Sequence, residues 1–117
     1  MQGHNVSTMP VPAVIRIQAN LPWACKQTDS GNWIGVCPPL KLTVESETWA
    51  ELMEDIGLTL DAMLVDLLQT NELDAFLRNH GWQAVTPIPH SPNHVRFDVP
   101  FIPEIMARHG SQRNVYQ

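Results

Sequence analysis

The chain has 117 residues, the length of one ordinary domain, and a formal net charge of −5 at pH 7. Hydrophobic residues make up 44% of it, enough for one packed core, and charged residues only 16%, against about 25% in typical soluble domains. The seven Lys and Arg residues are scattered, with no two adjacent, so the basic patch that phosphate contacts need is missing. We therefore expect no direct nucleic-acid binding, and a surface partly covered by a partner such as a second copy of the chain.

Residues 1–12 are polar and end in Pro10 and Pro12, which predicts a flexible N-terminal arm. They contain neither the basic region nor the apolar region of a signal peptide. No apolar run approaches the about 20 residues that a membrane span needs. Cys25 and Cys37 are not spaced like zinc ligands, and we expect both to be reduced thiols rather than a disulfide. The sequence thus predicts a cytoplasmic protein without metal, cofactor or membrane contact.

The first half of the chain predicts three strands. Residues 13–27 begin with alternating apolar side chains, and Pro22 indicates an edge position or a bulge. The turn-forming residues 28–32 then lead into a second apolar strand, residues 33–37, which makes an antiparallel hairpin. Two prolines end that strand, and residues 40–44 alternate again as a third strand.

A long helix is predicted from Thr48 to near Thr70. Thr48 and Glu51 have the spacing of a capping box. Gly57 interrupts the helix, which predicts a kink or close packing there. The apolar stripe of the helix recurs with period 3.6 and consists of Trp49, Leu52, Met53, Ile56, Leu60, Met63, Leu64, Leu67 and Leu68.

Shorter elements are predicted after the long helix. Asn71 is expected to cap a second helix, Glu72 to His80, which Gly81 ends. A short strand at residues 82–85 and a turn at 91–93 follow. Residues 95–99 alternate as the last strand, and Pro103 is expected to open a final helical turn through Arg108.

These elements predict an α+β fold of one domain. Its order is β-β-β-α-(α)-β, with a three- to four-stranded, mainly antiparallel sheet packed on the long helix. We place the domain at residues 13–102, and a C-terminal helical turn and tail at residues 103–117. The other sheet face, or an edge strand, is expected to be free for self-association into a homodimer or higher oligomer.

The segment from the hairpin to the start of the long helix resembles the HicB-like antitoxins of bacterial toxin–antitoxin pairs. Their pattern has a Gly turn, an aromatic-led strand, a Pro-containing step, a short strand and a Thr-led acidic helix start, followed later by an Ile-Pro connector and a last core strand. The matching residues are Gly31, Trp33-Ile34-Gly35-Val36, Cys37-Pro38-Pro39-Leu40, Leu42 to Val44, Thr48-Trp49-Ala50-Glu51-Leu52, Pro87-Ile88-Pro89-His90-Ser91-Pro92 and Val95 to Val99.

The resemblance implies a partial RNase H-like fold that sequesters a small RNA-cleaving, HicA-like toxin and forms dimers or higher oligomers. Three features depart from the family pattern. The usual Asp-Leu-Pro-Gly step is replaced by Pro39-Leu40-Lys41-Leu42, so its turn is expected to be missing, and Asn71 to Gly81 reads as an insertion. Little chain follows the last strand, so we expect no helix-turn-helix or ribbon-helix-helix unit.

Nine of the twelve acidic residues lie between Glu45 and Asp74, and no Lys or Arg occurs between Lys41 and Arg78. A surface of one sign attracts a basic partner, and an RNA-cleaving toxin needs cations to hold RNA. An ordinary solvated helix face explains the same pattern about equally well. The residues we expect to bind such a partner, with no catalytic residue among them, are Glu47, Trp49, Glu51, Glu54, Asp55 and Asp61.

Two alternatives stay open. One is a dimeric module without a toxin partner. The other is an RNA-cleaving enzyme: the segment Leu77 to Trp82, followed by His94 before a strand, is faintly similar to HicA toxins, and His94 would then act as general base on an RNA 2′-hydroxyl. His80, His90 and His94 have no fixed metal-binding geometry, and only Asp98 lies on a strand where a metal-dependent nuclease would need several carboxylates.

Overall fold

A computed structural model describes residues 13–88 and 94–106. Two helices and seven strands are formed there, which confirms the predicted α+β class. Their order is β1 (Ala13–Gln18), β2 (Pro22–Gln27), β3 (Trp33–Cys37), β4 (Leu42–Ser46), α1 (Trp49–Gln69), α2 (Leu73–His80), β5 (Gln83–Ala84), β6 (Val95–Asp98) and β7 (Ile102–Ile105). Neither helix is long and apolar enough to cross a membrane.

The strands form two mixed sheets, where we expected one mainly antiparallel sheet. The four-stranded sheet has the order β4-β3-β2-β7 and the three-stranded sheet the order β5-β1-β6. β2, β3 and β4 pair antiparallel as predicted, but β1–β6 and β2–β7 are parallel. The Ile102 amide donates to the Leu21 carbonyl at 2.9 Å. This bond lies between the β1–β6 pair and the β2–β7 pair, where the chain breaks between β1 and β2 and again between β6 and β7.

The interruption between β1 and β2 falls at residues 19–21, immediately before Pro22. Proline cannot donate a ladder hydrogen bond and therefore suits the first position of a strand. The alternation of side chains nevertheless continues through the break. The buried residues of this stretch are all odd-numbered: Ile15, Ile17, Leu21, Trp23 and Cys25.

The inner faces of both sheets pack against α1. Four α1 residues at a spacing of four are fully buried: Leu52, Ile56, Leu60 and Leu64. The helix approaches β3 closely at Gly35, where an added Cβ would lie 3.2 Å from Ile56 Cδ1 and 3.4 Å from Trp23 Cε3. The Trp23 side chain is 0% exposed, and its Nε1 has no hydrogen-bond partner among the described residues. This part of the core therefore depends on apolar contact.

Two predicted features of α1 have different outcomes. Thr48 caps the helix: its hydroxyl accepts from the Glu51 amide at 3.1 Å while its backbone stays extended, as expected. The predicted close packing at Gly57 is wrong, because an added Cβ would meet no atom within 4 Å. α1 runs without interruption past this glycine to Gln69.

The turns around β4 and α2 differ from the prediction in detail. Residues 38–40 form a 3-10 turn, so β4 begins at Leu42 rather than residue 40. Lys41 follows this 3-10 turn in the left-handed conformation, with φ 57°. Asn71, with φ 62°, precedes the helix cap instead of forming it. Gly81 ends α2 as predicted.

The predicted helical turn from Pro103 is wrong, because Ile102–Ile105 is a strand. The amides of Ile102 and Met106 donate to the Leu21 and Cys25 carbonyls of the β2 stretch. Amides of alternate strand residues point to opposite sides, so position 103 faces the open edge, where the missing N–H of proline costs nothing. The predicted N-terminal arm, the turn at 91–93 and the tail beyond residue 106 lie outside the described residues.

Candidate partner-binding site

The start of α1 holds the predicted partner-binding residues. β4 ends at Ser46, and the capped first turn begins two residues later. The Thr48 carbonyl accepts from the Leu52 amide at 2.9 Å, which closes the first turn of the helix. Carboxylates are stabilised near a helix N-terminus by its partial positive charge. The local structure therefore favours acidic residues here even without a partner.

Three of the predicted carboxylates form one exposed group. Glu47 lies in the corner between β4 and α1, and Glu51 and Glu54 lie on the outward side of the helix. We call these three residues the acidic surface. Side chains at spacings of three and four share a helix face, so Leu58 continues that of Glu51 and Glu54. Its side chain is 58% exposed. The acidic surface thus borders an exposed apolar side chain.

The other two predicted carboxylates are engaged within the fold. The Ser46 hydroxyl donates to Asp55 Oδ2 at 2.5 Å, which ties α1 to the end of β4. The Phe97 amide donates to Asp61 Oδ1 at 2.6 Å, which ties α1 to β6. Both bonds are partly buried. Asp55 and Asp61 therefore hold the helix on the sheets, and this separates them from the three exposed glutamates.

Trp49 has a comparable structural role. Its ring meets that of Trp33 edge to face, with centroids 5.0 Å apart and planes at 72°. This geometry is favourable for aromatic pairs. Trp49 is half-buried and packs against the core. It anchors the first turn of α1 on β3, immediately behind the acidic surface.

The histidines of the described residues lie apart from the acidic surface. His94 is exposed, with φ 59°, and its carbonyl accepts from the Ala13 amide at 2.7 Å. The His80 ring stacks on Phe76, and its Nδ1 lies 3.0 Å from the Phe76 carbonyl oxygen. His90 lies outside the described part of the chain. No group of three potential metal ligands occurs in residues 13–88 and 94–106.

Cys25 and Cys37 are free and buried, on β2 and β3, which confirms the prediction of two unpaired thiols. Burial raises the pKa of both thiols, and in each case a backbone hydrogen bond opposes the rise. A thiol is nucleophilic only as the thiolate. Burial and a raised pKa therefore make both cysteines part of the core rather than reactive groups.

Sequence patterns missed two features of this site. Leu58 was not singled out, although its position off the apolar stripe of α1 is the one sequence signal that could have identified it as an exposed leucine. The bond between Asp61 and Phe97 joins residues 36 apart in sequence, and no local pattern predicts it. The acidic surface and Leu58 offer a partner charge and apolar area.

Comparison of the chain with protein-family models, curated proteins and solved structures finds no match.

Proposed function

We propose that the chain is a HicB-like antitoxin, which binds a small, basic, RNA-cleaving toxin and covers the surface with which that toxin holds RNA. The observation that carries the proposal is the acidic surface. Glu47, Glu51 and Glu54 are exposed together at the capped start of α1, and Leu58 follows one turn later. No Lys or Arg between Lys41 and Arg78 offsets their charge.

Inhibition by occlusion follows from charge and area. A protein that cleaves RNA holds the phosphates with cations. Carboxylates opposite those cations compete with RNA and accelerate the encounter of the two proteins. Stable interfaces combine such a polar rim with an apolar centre, and Leu58 supplies an apolar contact beside the glutamates. Neither contribution requires a catalytic residue.

The scaffold behind the acidic surface supports this role. Asp55 and Asp61 hold α1 against β4 and β6 through partly buried hydrogen bonds, and Trp49 packs on Trp33. The glutamates are thus presented on a helix fixed at three points. A surface that is already ordered loses less conformational entropy when it binds. We place the interaction in the cytoplasm, where unpaired thiols such as Cys25 and Cys37 are the usual state.

Co-expression with a small basic protein, if a neighbouring reading frame encodes one, tests the proposal. The two proteins should co-purify, and the complex should no longer cleave RNA. Substituting Glu51→Gln together with Glu54→Gln should release the RNA-cleaving activity. The control carries Asp66→Asn and Asp74→Asn, which remove the same charge at two other exposed helical positions. It should inhibit like the unmodified chain.

Two other results would contradict the proposal. Failure of the chain to bind or inhibit the basic protein would favour a dimeric module without a toxin partner. RNA cleavage by the purified chain itself, abolished by His94→Ala, would instead favour the enzyme alternative.

A further inference from the structure

The two edges of the four-stranded sheet differ in what they offer another chain. An open edge pairs with an additional strand through its free amides and carbonyls. On the β7 edge, Pro103 has no N–H to donate. The opposite edge is β4, whose five residues pair with β3 in continuous register and include no proline. β4 is therefore the edge at which a strand can be added.

The register of the sheet identifies the backbone groups that β4 presents. The Thr28 amide donates to the Asn32 carbonyl at 2.7 Å, so this pair at the turn between β2 and β3 is hydrogen-bonded. Hydrogen-bonded and non-bonded pairs alternate along antiparallel strands, and the backbone groups of successive residues point to opposite sides. Gly35 therefore directs its amide and carbonyl at Val44 of β4 rather than at β2.

Thr43 and Glu45, the residues on either side of Val44, consequently direct their amides and carbonyls to the open edge. The Cys25 carbonyl supports this alternation: it accepts from the Met106 amide on the β7 side, as the residue opposite Gly35 must. The side chains of Thr43 and Glu45 are exposed. Outside the ladder with β3, neither amide has a hydrogen-bond partner among residues 13–88 and 94–106.

The β4 edge also leaves apolar area uncovered on the α1 side of the sheet. Gly35 and Cys37 of β3 are buried, whereas their β4 neighbours Val44 and Leu42 are only half-buried. Val44 and Leu42 nevertheless pack against the core. A further strand would cover the exposed part of both side chains, which is favourable in proportion to the apolar area removed from water. The residues of that strand that face α1 should therefore be apolar.

The charges at the β4 edge favour basic residues at the alternate positions of an added strand. Glu45 and Glu47 are exposed, and Lys41 is the one basic residue from position 41 to 47. Opposite charges on neighbouring strands stabilise pairing and like charges oppose it. A second copy of β4 would bring two glutamates and one lysine to the two glutamates and one lysine already there, an excess of carboxylates. A basic segment would instead balance Glu45 and Glu47.

We propose that an extended basic segment of the partner adds to β4 as a fifth strand of this sheet. Its backbone bonds to Thr43 and Glu45, its apolar side chains cover Leu42 and Val44, and its cations lie beside Glu45. Glu47 follows β4 directly, so the added strand leads onto the acidic surface at the start of α1. This inference rests on the proposed function for the identity of the partner, a basic toxin.

Fluorescence anisotropy tests the edge itself with a capped, labelled peptide in which valine and arginine alternate. The unmodified chain should bind this arginine peptide. It should bind a peptide of alternating valine and glutamate at least about tenfold more weakly, because carboxylates would meet Glu45 and Glu47. An arginine peptide methylated on every backbone nitrogen has no amide to donate and should not bind.

Variants of the edge strands test the same contacts from the other side. Thr43→Pro removes one outward amide at an edge position, where proline is tolerated, and should weaken binding of the arginine peptide at least about tenfold. Thr43→Val keeps the amide and should bind like the unmodified chain. Glu45→Lys should weaken binding, whereas Glu104→Lys, the same change of charge on the far edge strand, should not. Circular dichroism establishes that each variant is folded.

Failure of the chain to bind the arginine peptide, or equal binding by Thr43→Pro and Glu45→Lys, would overturn the proposal. If Thr43→Pro does not fold, the methylated peptide decides, because binding as tight as that of the unmethylated peptide would also overturn it. A dimer in sedimentation velocity that Thr43→Pro converts to a monomer would place a second copy at the edge and overturn it too.

Two results separate this inference from the proposed function. Inhibition of a basic toxin by Thr43→Pro as strong as that by the unmodified chain would overturn strand addition alone. Binding of the arginine peptide by a chain that inhibits no basic toxin would contradict the proposed function and leave the β4 edge as a site for basic strands.

Discussion

The carboxylate of Asp61 on α1 accepts a hydrogen bond from the backbone amide of Phe97 on β6, at 2.6 Å. The two residues are 36 positions apart in sequence, and the bond satisfies an amide that points away from β1. Phe97 itself is buried in the core. One carboxylate therefore fixes the helix on the sheet and closes part of a strand edge.

Replacing this carboxylate should destabilise the fold. Asp61→Ala leaves the Phe97 amide without its acceptor, and a buried donor left unpaired costs about 1–3 kcal/mol. Asp61→Asn keeps an acceptor oxygen and should therefore lose less stability than Asp61→Ala. The free energy of unfolding in urea measures both variants. Asp66→Ala, at an exposed position of the same helix, is the control, and a loss no larger in Asp61→Ala than in this control would contradict the role of Asp61.

Replacing Gly57 with alanine should instead stabilise the fold. It lies inside α1, and an added Cβ would meet no atom within 4 Å. Alanine is favoured over glycine inside a helix by about 1 kcal/mol. Gly57→Ala should therefore raise the free energy of unfolding by up to that amount and raise the melting temperature, as followed by circular dichroism. A decrease would show that this glycine serves another purpose.

Gly35→Ala should destabilise the chain, although the chemical change is the same. The new methyl group would lie 3.2 Å from Ile56 Cδ1 and 3.4 Å from Trp23 Cε3, and both neighbours are fully buried. Overpacking of a core costs about 1–3 kcal/mol. Combining Gly35→Ala with Ile56→Val shortens the side chain that the methyl group meets, and the double variant should be more stable than the sum of the two single effects. Strict additivity in urea denaturation would argue against this contact.

The two buried thiols should make stability fall at alkaline pH. Burial raises the pKa of Cys25 and Cys37 above the usual 9.0, so the folded chain keeps protons that the unfolded chain has lost. Their contribution to stability is therefore complete below pH 9.0 and decreases as the pH rises above it. The slope reaches at most about 1.4 kcal/mol per pH unit for each thiol. Urea denaturation at several alkaline pH values should show a shallower decline for Cys25→Ala with Cys37→Ala, and equal slopes would contradict the assignment.

Local patterns in the sequence predicted the elements that depend on neighbouring residues. The Thr48 cap, the apolar stripe of α1, the hairpin of β2 and β3 and the Gly81 stop each rest on side chains a few positions apart. The parallel pairing of β2 with β7 depends on distant strands. Locally, Pro103 therefore indicates the start of a helical turn, because its position on an open sheet edge depends on the distant pairing.

The sequence likewise predicted only part of the candidate site. Charge along the sequence identified the acidic start of α1, including Glu51 and Glu54. It did not separate these exposed glutamates from Asp55 and Asp61, whose hydrogen-bond partners lie on β4 and β6. Burial depends on the packed fold, and a count of carboxylates carries no information about it.

The dissociation constant of the proposed complex with a small basic toxin, measured by titration calorimetry at low and high salt, tests the central claim most directly. The double variant Glu51→Gln with Glu54→Gln loses two charge contacts. It should therefore bind the toxin about tenfold or more weakly than the unmodified chain at low salt. Because salt screens exposed charges, binding by the unmodified chain should weaken in high salt, and the difference between the two chains should shrink. Equal affinity of both chains, unchanged by salt, would contradict the role of the acidic surface.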